Sequence, residues 1–301
     1  MLALIDGDII KYQAGFASDQ TTYLLDGNEF DYKKDAVAFA KLNRYAEDEI
    51  EKVVVAEPVE YCLSSVKKMI KSIMEAVDAN ECRIFLTGKD NFREEVAITA
   101  PYKGNRDDAH KPIHYNAIQE YLIKYWNAEV VEGQEADDAL GIAQYKAMQE
   151  QLAATEDIDS MESTTVICTI DKDLDQIIGW HYNWKNSTTY WIGWEEAENF
   201  FYRQLLTGDT VDNILGCGKR EEAVYKTGKK KGQTYMKRKG IGPKQAEKLL
   251  PMHKNEEEMY KEVRRQYKIV FEDDAERALR ENADLLWILR EKDTRWIPPN
   301  E

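Results

Sequence analysis

The stretch "LALIDGDII", Leu2 to Ile10, places four apolar residues ahead of Asp6 and Asp8, which flank a single glycine. A short apolar run bounded by turn-forming residues reads as a buried strand. Acids at its carboxyl end then stand on the rim of a sheet, where open α/β folds bind their ligands. The same order recurs twice. "TVICTI" (Thr165 to Ile170) leads into Asp171, Asp173 and Asp175, and "AEVV" (Ala128 to Val131) leads into Glu135, Asp137 and Asp138. "RIFLT" (Arg83 to Thr87) reads as another strand, and Val59 to Val77 carries apolar residues at helical spacing. Strands alternating with helical patterns predict an α/β core with a mostly parallel sheet and crossover helices.

Outward from these segments, Tyr182 to Ile192 is aromatic and β-prone, as in a hairpin or a sheet edge, and Gln151 to Ser163 reads as a polar surface loop. From about Trp194 the pattern turns helical, ending in the tail "RWIPPN". The expected division is a core over 1–193 and a helical region over 194–301.

The chain has 301 residues, 43% of them hydrophobic, with 41 Lys+Arg against 56 Asp+Glu and a net charge of −15; its mean hydropathy is −0.63. No apolar run approaches the roughly 18–20 residues of a membrane span, and "MLALIDGDII" does not read as a secretory signal. Four scattered cysteines support neither a zinc site nor a disulfide frame, so a reducing cytoplasm is expected. The acidic total opposes loose coating of nucleic acid or membrane. Segment 219–239 departs from it, with nine Lys/Arg, including Lys229, Lys230 and Lys231, against Glu221 and Glu222. It is either a solvated insertion or a local face for a polyanion.

Crowded carboxylates demand an explanation. At ~4 Å and an effective dielectric of ~20, each like-charged pair repels by roughly 4 kcal/mol, so a cluster holds protons or a cation. Asp209 and Asp212 in "LTGDTVDNILG" form a further group. Acids in a first helical turn can simply complement the helix dipole. "DKDLD" fails as a calcium loop, with Gln176 where glycine is required and Tyr182 where glutamate is required. "DGDII" also resembles the nucleophile motif of dehalogenase-like phosphatases. A shared metal site is the economical reading, and oxygen ligands without clustered His or Cys select Mg²⁺ or Mn²⁺.

Two further motifs bear on phosphate. "APYKGNRDD" sets Tyr102, Lys103 and Arg106 together, with Lys111 following, which supplies a ring face, a point charge and a bidentate grip. "KGIGPKQAEKLL" places Gly240 and Gly242 before a Pro-initiated helix carrying Lys244, where the backbone can approach a phosphate closely. Carboxylates, a basic grip and a glycine hairpin together describe a metal-dependent phosphodiesterase acting on nucleic acid.

Taken in order, "LIDGD", "YKGNRDD", "EADDA", "TIDKDLD", "GDTVDNI" and "GIGPKQA" span Leu4 to Ala246. The set resembles the 5′-nucleases, which include bacteriophage 5′-to-3′ exonucleases, flap endonucleases and the nuclease domain of bacterial DNA polymerase I. The resemblance implies a PIN-like core with a helical arch, and a helix-three-turn-helix element in the C-terminal helical region. It implies two divalent ions, Mg²⁺ or Mn²⁺. Asp6, Glu135, Asp137 and Asp138 would serve the first, and Asp171, Asp173, Asp209 and Asp212 the second. Lys103 and Arg106 match basic residues near the scissile phosphate, and Gly240 to Lys244 matches a hairpin that grips duplex DNA, with a potassium ion. The implied partner is DNA with a 5′ end, flap or overhang, or an RNA–DNA hybrid, acted on by a monomer away from membranes. The implied setting is phage DNA replication, primer removal or host DNA degradation. Two departures stand out. Gly88 lies where the family has an aspartate, with Asp90 two positions on, and 23 residues (217–239) separate "NILG" from "GIGP". The rivals are a non-catalytic structure-specific DNA-binding protein and a dehalogenase-like phosphatase.

Overall fold

The computed structural model describes residues 1–106, 110–155, 164–228, 231–252 and 254–299. In chain order its elements are β1 (Leu2–Asp6), α1 (Gly7–Ser18), β2 (Asp19–Leu25), β3 (Asn28–Phe30), α2 (Lys33–Asn43), β4 (Glu51–Ala56), α3 (Val59–Ala76), β5 (Glu81–Thr87), α4 (Phe92–Val96), α5 (Tyr115–Trp126), β6 (Glu129–Val131), α6 (Ala136–Thr155) and β7 (Thr165–Cys168). They continue with β8 (Gly179–Asn183), β9 (Thr188–Ile192), α7 (Trp194–Thr207), β10 (Gly218–Val224), β11 (Thr234–Gly240), α8 (Pro243–Leu249), α9 (Glu256–Phe271) and α10 (Ala275–Leu286).

The central sheet runs β6-β5-β1-β7-β8-β9. Its first five strands are parallel, and β9 returns antiparallel at the edge. The strand-end reading of "LALI" therefore holds, and β1 is central. Its residues Ala3, Leu4 and Ile5 are wholly buried, and the two-residue period sends them to opposite faces. Ala3 and Ile5 join Ile10, Val66, Ile70 and Leu122 on one face, while Leu4 joins Leu140, Ile167 and Ile288 on the other. The chain moves from β1 outward to β5 and β6, then returns to the other side of β1 as β7. That reversal opens a crevice beyond the carboxyl ends of β1 and β7, the place where such sheets take ligands. Gly7 lets α1 start immediately at this rim, since a Cβ there would lie 2.6 Å from the Phe85 carbonyl oxygen.

Two expectations need correction. Residues 151–155 continue helix α6 rather than forming a loop, and the remainder of that segment, 156–163, lies outside the described residues. Segment 219–239 neither continues the helical pattern nor lies unstructured: β10 and β11 pair antiparallel from Gly218↔Gly240 to Val224↔Thr234. Between α4 and α5 the described residues form turns and extended chain that lead into α5. A three-stranded antiparallel sheet, β3-β2-β4, was also absent from the sequence reading. Its strands alternate half-buried and exposed positions weakly, which blunts the period-two signal.

The C-terminal helices gather their own core around Phe201, Leu205, Val263, Tyr267, Leu279 and Trp296. The chain after α10 then returns to the sheet through one buried ion pair. Arg93, 1% exposed, donates to both oxygens of Asp138, 0% exposed, at 2.6 and 2.9 Å. Arg93 also donates to the Leu285 and Trp287 carbonyls, and Asp138 accepts the Leu289 N–H. Burying both charges is tolerable because almost every donor and lone pair is used. Removing one charge strands the other, so Asp138→Asn should cost roughly 3–5 kcal/mol, read by urea unfolding without divalent ions; an unchanged midpoint would contradict this tie.

Candidate active site

Acids from four separate places meet in one cavity of about 530 Å³. Asp6 ends β1 and caps α1, accepting the Ile9 N–H at 3.1 Å. Thr169, just past β7, donates its hydroxyl to the other Asp6 oxygen at 2.9 Å. Asp137 lies in the first turn of α6. Asp171 caps a short 3₁₀ turn after β7 and accepts from the Asp173 N–H at 2.9 Å, while Gln204 of α7 donates to Asp173 at 2.8 Å. Asp209 and Asp212 come from the turn after α7, where Asp209 accepts the Val211 N–H at 2.6 Å. Gly208 allows that turn because its φ is +67° and there is no room for a side chain. These six acids line the cavity with Glu135, Tyr102, Lys103 and Arg106.

The cavity has two electrostatic flanks. On one, cations already answer the acids: Lys103 meets Glu135 at 2.5 Å and Arg106 meets Asp212 at 2.5 Å. Tyr102 sits between those acids, its hydroxyl 2.9 Å from each. Burial would raise Glu135, but Lys103 and Arg93 hold its carboxyl below the ordinary glutamate range. The other flank holds Asp6, Asp137, Asp171 and Asp173. Burial, then Asp8 and Asp171, push Asp6 up to about 7. Burial, then Asp171 and Asp209, push Asp173 up to about 8. Asp137 is raised well above its ordinary value by burial and by Asp6, Asp171 and Glu135.

Asp138 does not join them. It is absent from the cavity lining, and Arg93, the Leu289 N–H and the Glu135 N–H at 3.0 Å occupy its oxygens. The fused "EADD" spelling conceals this: Asp137 and Asp138 are about 100° apart around the helix, so one faces the crevice and its neighbour faces the core. Asp8 lines the cavity but is held by Lys11 at 2.9 Å and by the Thr87 N–H. Asp90 lines it too, on a left-handed residue with φ 61°.

Other expected DNA contacts lie elsewhere. Lys111 is exposed beside the Tyr115 ring at 4.7 Å. Gly240 ends β11, Gly242 caps α8, and Lys244 is exposed outside the cavity. Lys231 is exposed, whereas Lys229 and Lys230 lie outside the described residues. The Ile241 carbonyl, within the hairpin expected to hold potassium, accepts from the Arg238 guanidinium at 3.2 Å, so a protein cation already stands there. Thr169, Asn91, Arg93 and Gln204 support the acids but were not singled out in the sequence; each acts across long separations that no local pattern reports.

Among the described residues, no three acidic, histidine or cysteine side chains form a ready-made ion cage. The donor chemistry nevertheless fits a hard divalent cation, with several oxygens from buried, mutually repelling carboxylates and no histidine or cysteine lining the cavity. Asp6, Asp137, Asp171 and Asp173 are the residues placed to hold it.

Fold and site together define an α/β protein with a carboxylate-rich cavity, edged on one flank by Lys103 and Arg106, at its sheet's switch point. No protein-family model matches the chain, and no curated protein does. Among solved structures it is similar over 95% of its length to three from bacteriophage T5. These are a flap endonuclease complexed with DNA and metal ions (14% identity, 98% of that chain, TM-score 0.42), a 5′-exonuclease bound to zinc (16%, 99%, 0.43), and a T5 protein co-crystallised with metal ions (15%, 99%, 0.42).

The raised carboxylates make a linked prediction. A folded-state pKa above the unfolded value near 3.9 contributes stability that is full below about pH 4 and lost as pH rises through about 7–8. Metal-free protein should therefore lose melting temperature from pH 5 to 8.5. Asp173→Asn should flatten that loss, and Mg²⁺ or Mn²⁺ should reverse it in wild type but less in Asp173→Asn. Calorimetry across pH tests this, and equal slopes in both proteins would count against it.

Proposed function

We propose that this chain is a divalent-metal-dependent 5′-nuclease that hydrolyses phosphodiesters near the 5′ ends of DNA. The observation that carries the reading is the divided cavity: a cation-poor carboxylate flank shares it with a flank bearing Lys103, Arg106 and Tyr102. A phosphate between the flanks would meet positive charge on both sides once the acids are loaded. The ordered motifs support the same class.

Asp6, Asp137, Asp171 and Asp173 would hold Mg²⁺ or Mn²⁺, and Asp209 stands beside Asp173 to share that charge. Bound there, the metal supplies Lewis-acid chemistry, acidifying water and offsetting charge on phosphoryl oxygens. Lys103 and Arg106 are pre-positioned by Glu135 and Asp212, and they turn toward a phosphate as a point charge and a fork. Glu135 and Asp212 thus hold the grip, and Asp138 holds the fold. Charge aimed where it develops on the phosphoryl oxygens is the largest contribution such a grip makes. Contacts of this kind position DNA without reading sequence, so preference should be weak.

A labelled duplex and a 5′ flap, each with Mg²⁺ and with chelator, test the reading. Cleavage should require the metal and release product from the 5′ side. Asp171→Ala should lose activity by orders of magnitude yet bind DNA, and Lys103→Ala should lose about 100- to 1,000-fold in turnover. Full cleavage by Asp171→Ala, or hydrolysis of a small phosphomonoester with DNA left intact, would overturn the assignment.

A further inference from the structure

The β10–β11 ribbon combines features that folding alone does not favour. Cross-strand register sets Lys219 opposite Lys239 and Arg220 opposite Arg238. Like charges directly opposite destabilise a strand pair, and a lone two-stranded ribbon is marginal even without them. Arg238 offsets this at the base, donating to the Leu215, Ile241 and Leu206 carbonyls at 2.7, 3.2 and 3.1 Å. The other cations gain little internally: Lys239 meets Glu221 at 3.2 Å, but that pair is exposed. The chain is −15 overall and +7 in segment 219–239, and so −22 elsewhere. The body repels a polyanion and the ribbon attracts one.

We propose that the β10–β11 ribbon is a clamp for duplex DNA, with its two cationic ends gripping phosphates on either side of a groove; this deepens the nuclease reading and rests on DNA being the substrate. Lys219, Lys237 and Lys239 are exposed near the base, and Lys226 and Lys231 are exposed near the tip. Seven paired residues at ~3.4 Å each separate those ends by roughly 20 Å, enough to bridge the ~12 Å major groove. A fixed separation suits two strands held at fixed spacing. Single-strand binding would need open aromatic faces, but Tyr225 and Tyr235 stack on each other with centroids 4.3 Å apart. The base also touches the cavity rim: Arg220 donates to the Asn213 side chain, and Asn213 donates to the Pro101 carbonyl at 2.8 Å. Asp212 and Tyr102 are the next residues along, so duplex held on the ribbon lies beside the cleaved end.

Fluorescence anisotropy in chelator, with a labelled blunt duplex and the matching single strand, tests the clamp. Duplex affinity should fall at least tenfold in the triple variant Lys219→Gln, Lys237→Gln, Lys239→Gln, and its log–log salt slope should drop by roughly 2–3 units, about 0.9 per lost phosphate contact. Lys226→Gln with Lys231→Gln should lower the slope by roughly 2. Single-strand binding should change less than about twofold in both, and Lys→Arg counterparts should bind as wild type. An unchanged slope, equal loss on single strands, or failure of the Lys→Arg proteins would overturn the clamp. Cleavage by wild type in Mg²⁺ is scored separately: its absence sinks the nuclease reading and leaves the binding result intact, whereas cleavage with ribbon variants binding normally sinks only the clamp.

Discussion

Mutual repulsion among buried carboxylates is the constraint around which this molecule is organised. Asp6, Asp137 and Asp173 share one crevice, where burial first and neighbouring acids, Asp171 among them, second raise their proton affinity, with Asp6 near 7 and Asp173 near 8. A protein gains nothing in stability from such an arrangement. The folded state holds it because β1 and β7 are locked side by side by apolar packing on both faces, which fixes where their carboxyl ends emerge. Packing overrides electrostatics here, and the strain is kept where chemistry can use it.

Charge is sorted by depth. Glu135 and Asp212 are matched by Lys103, Arg106 and Tyr102, whereas Asp138 is matched by Arg93 in the core. Three acids within four positions of one segment, Glu135, Asp137 and Asp138, therefore carry three different tasks: holding the basic grip, lining the unanswered flank and tying down the C-terminal segment. The ribbon repeats the theme with opposite sign, as like charges held opposite each other by backbone pairing.

Much of this was legible in the order of residues. The parallel strands announced themselves because both faces of β1 and β7 are buried, which makes their runs wholly apolar, and the acids follow those runs directly. Asp138 was misassigned because a helix rotates neighbours by about 100° and composition cannot say which face meets the core. Arg93 decides that question, from 45 residues upstream. The β10–β11 ribbon escaped notice because its strands are mostly exposed and charged, so no apolar alternation marks them. The β3-β2-β4 sheet escaped for a related reason, since it buries little on either face.

The central claim is that the unanswered flank holds a divalent cation. Anomalous diffraction from crystals soaked in Mn²⁺ tests it most directly. The account predicts manganese peaks within coordination distance of Asp6, Asp137, Asp171 or Asp173, with Asp138 still bound to Arg93. Peaks scattered over the surface, or a crevice with no manganese at concentrations well above millimolar, would contradict it.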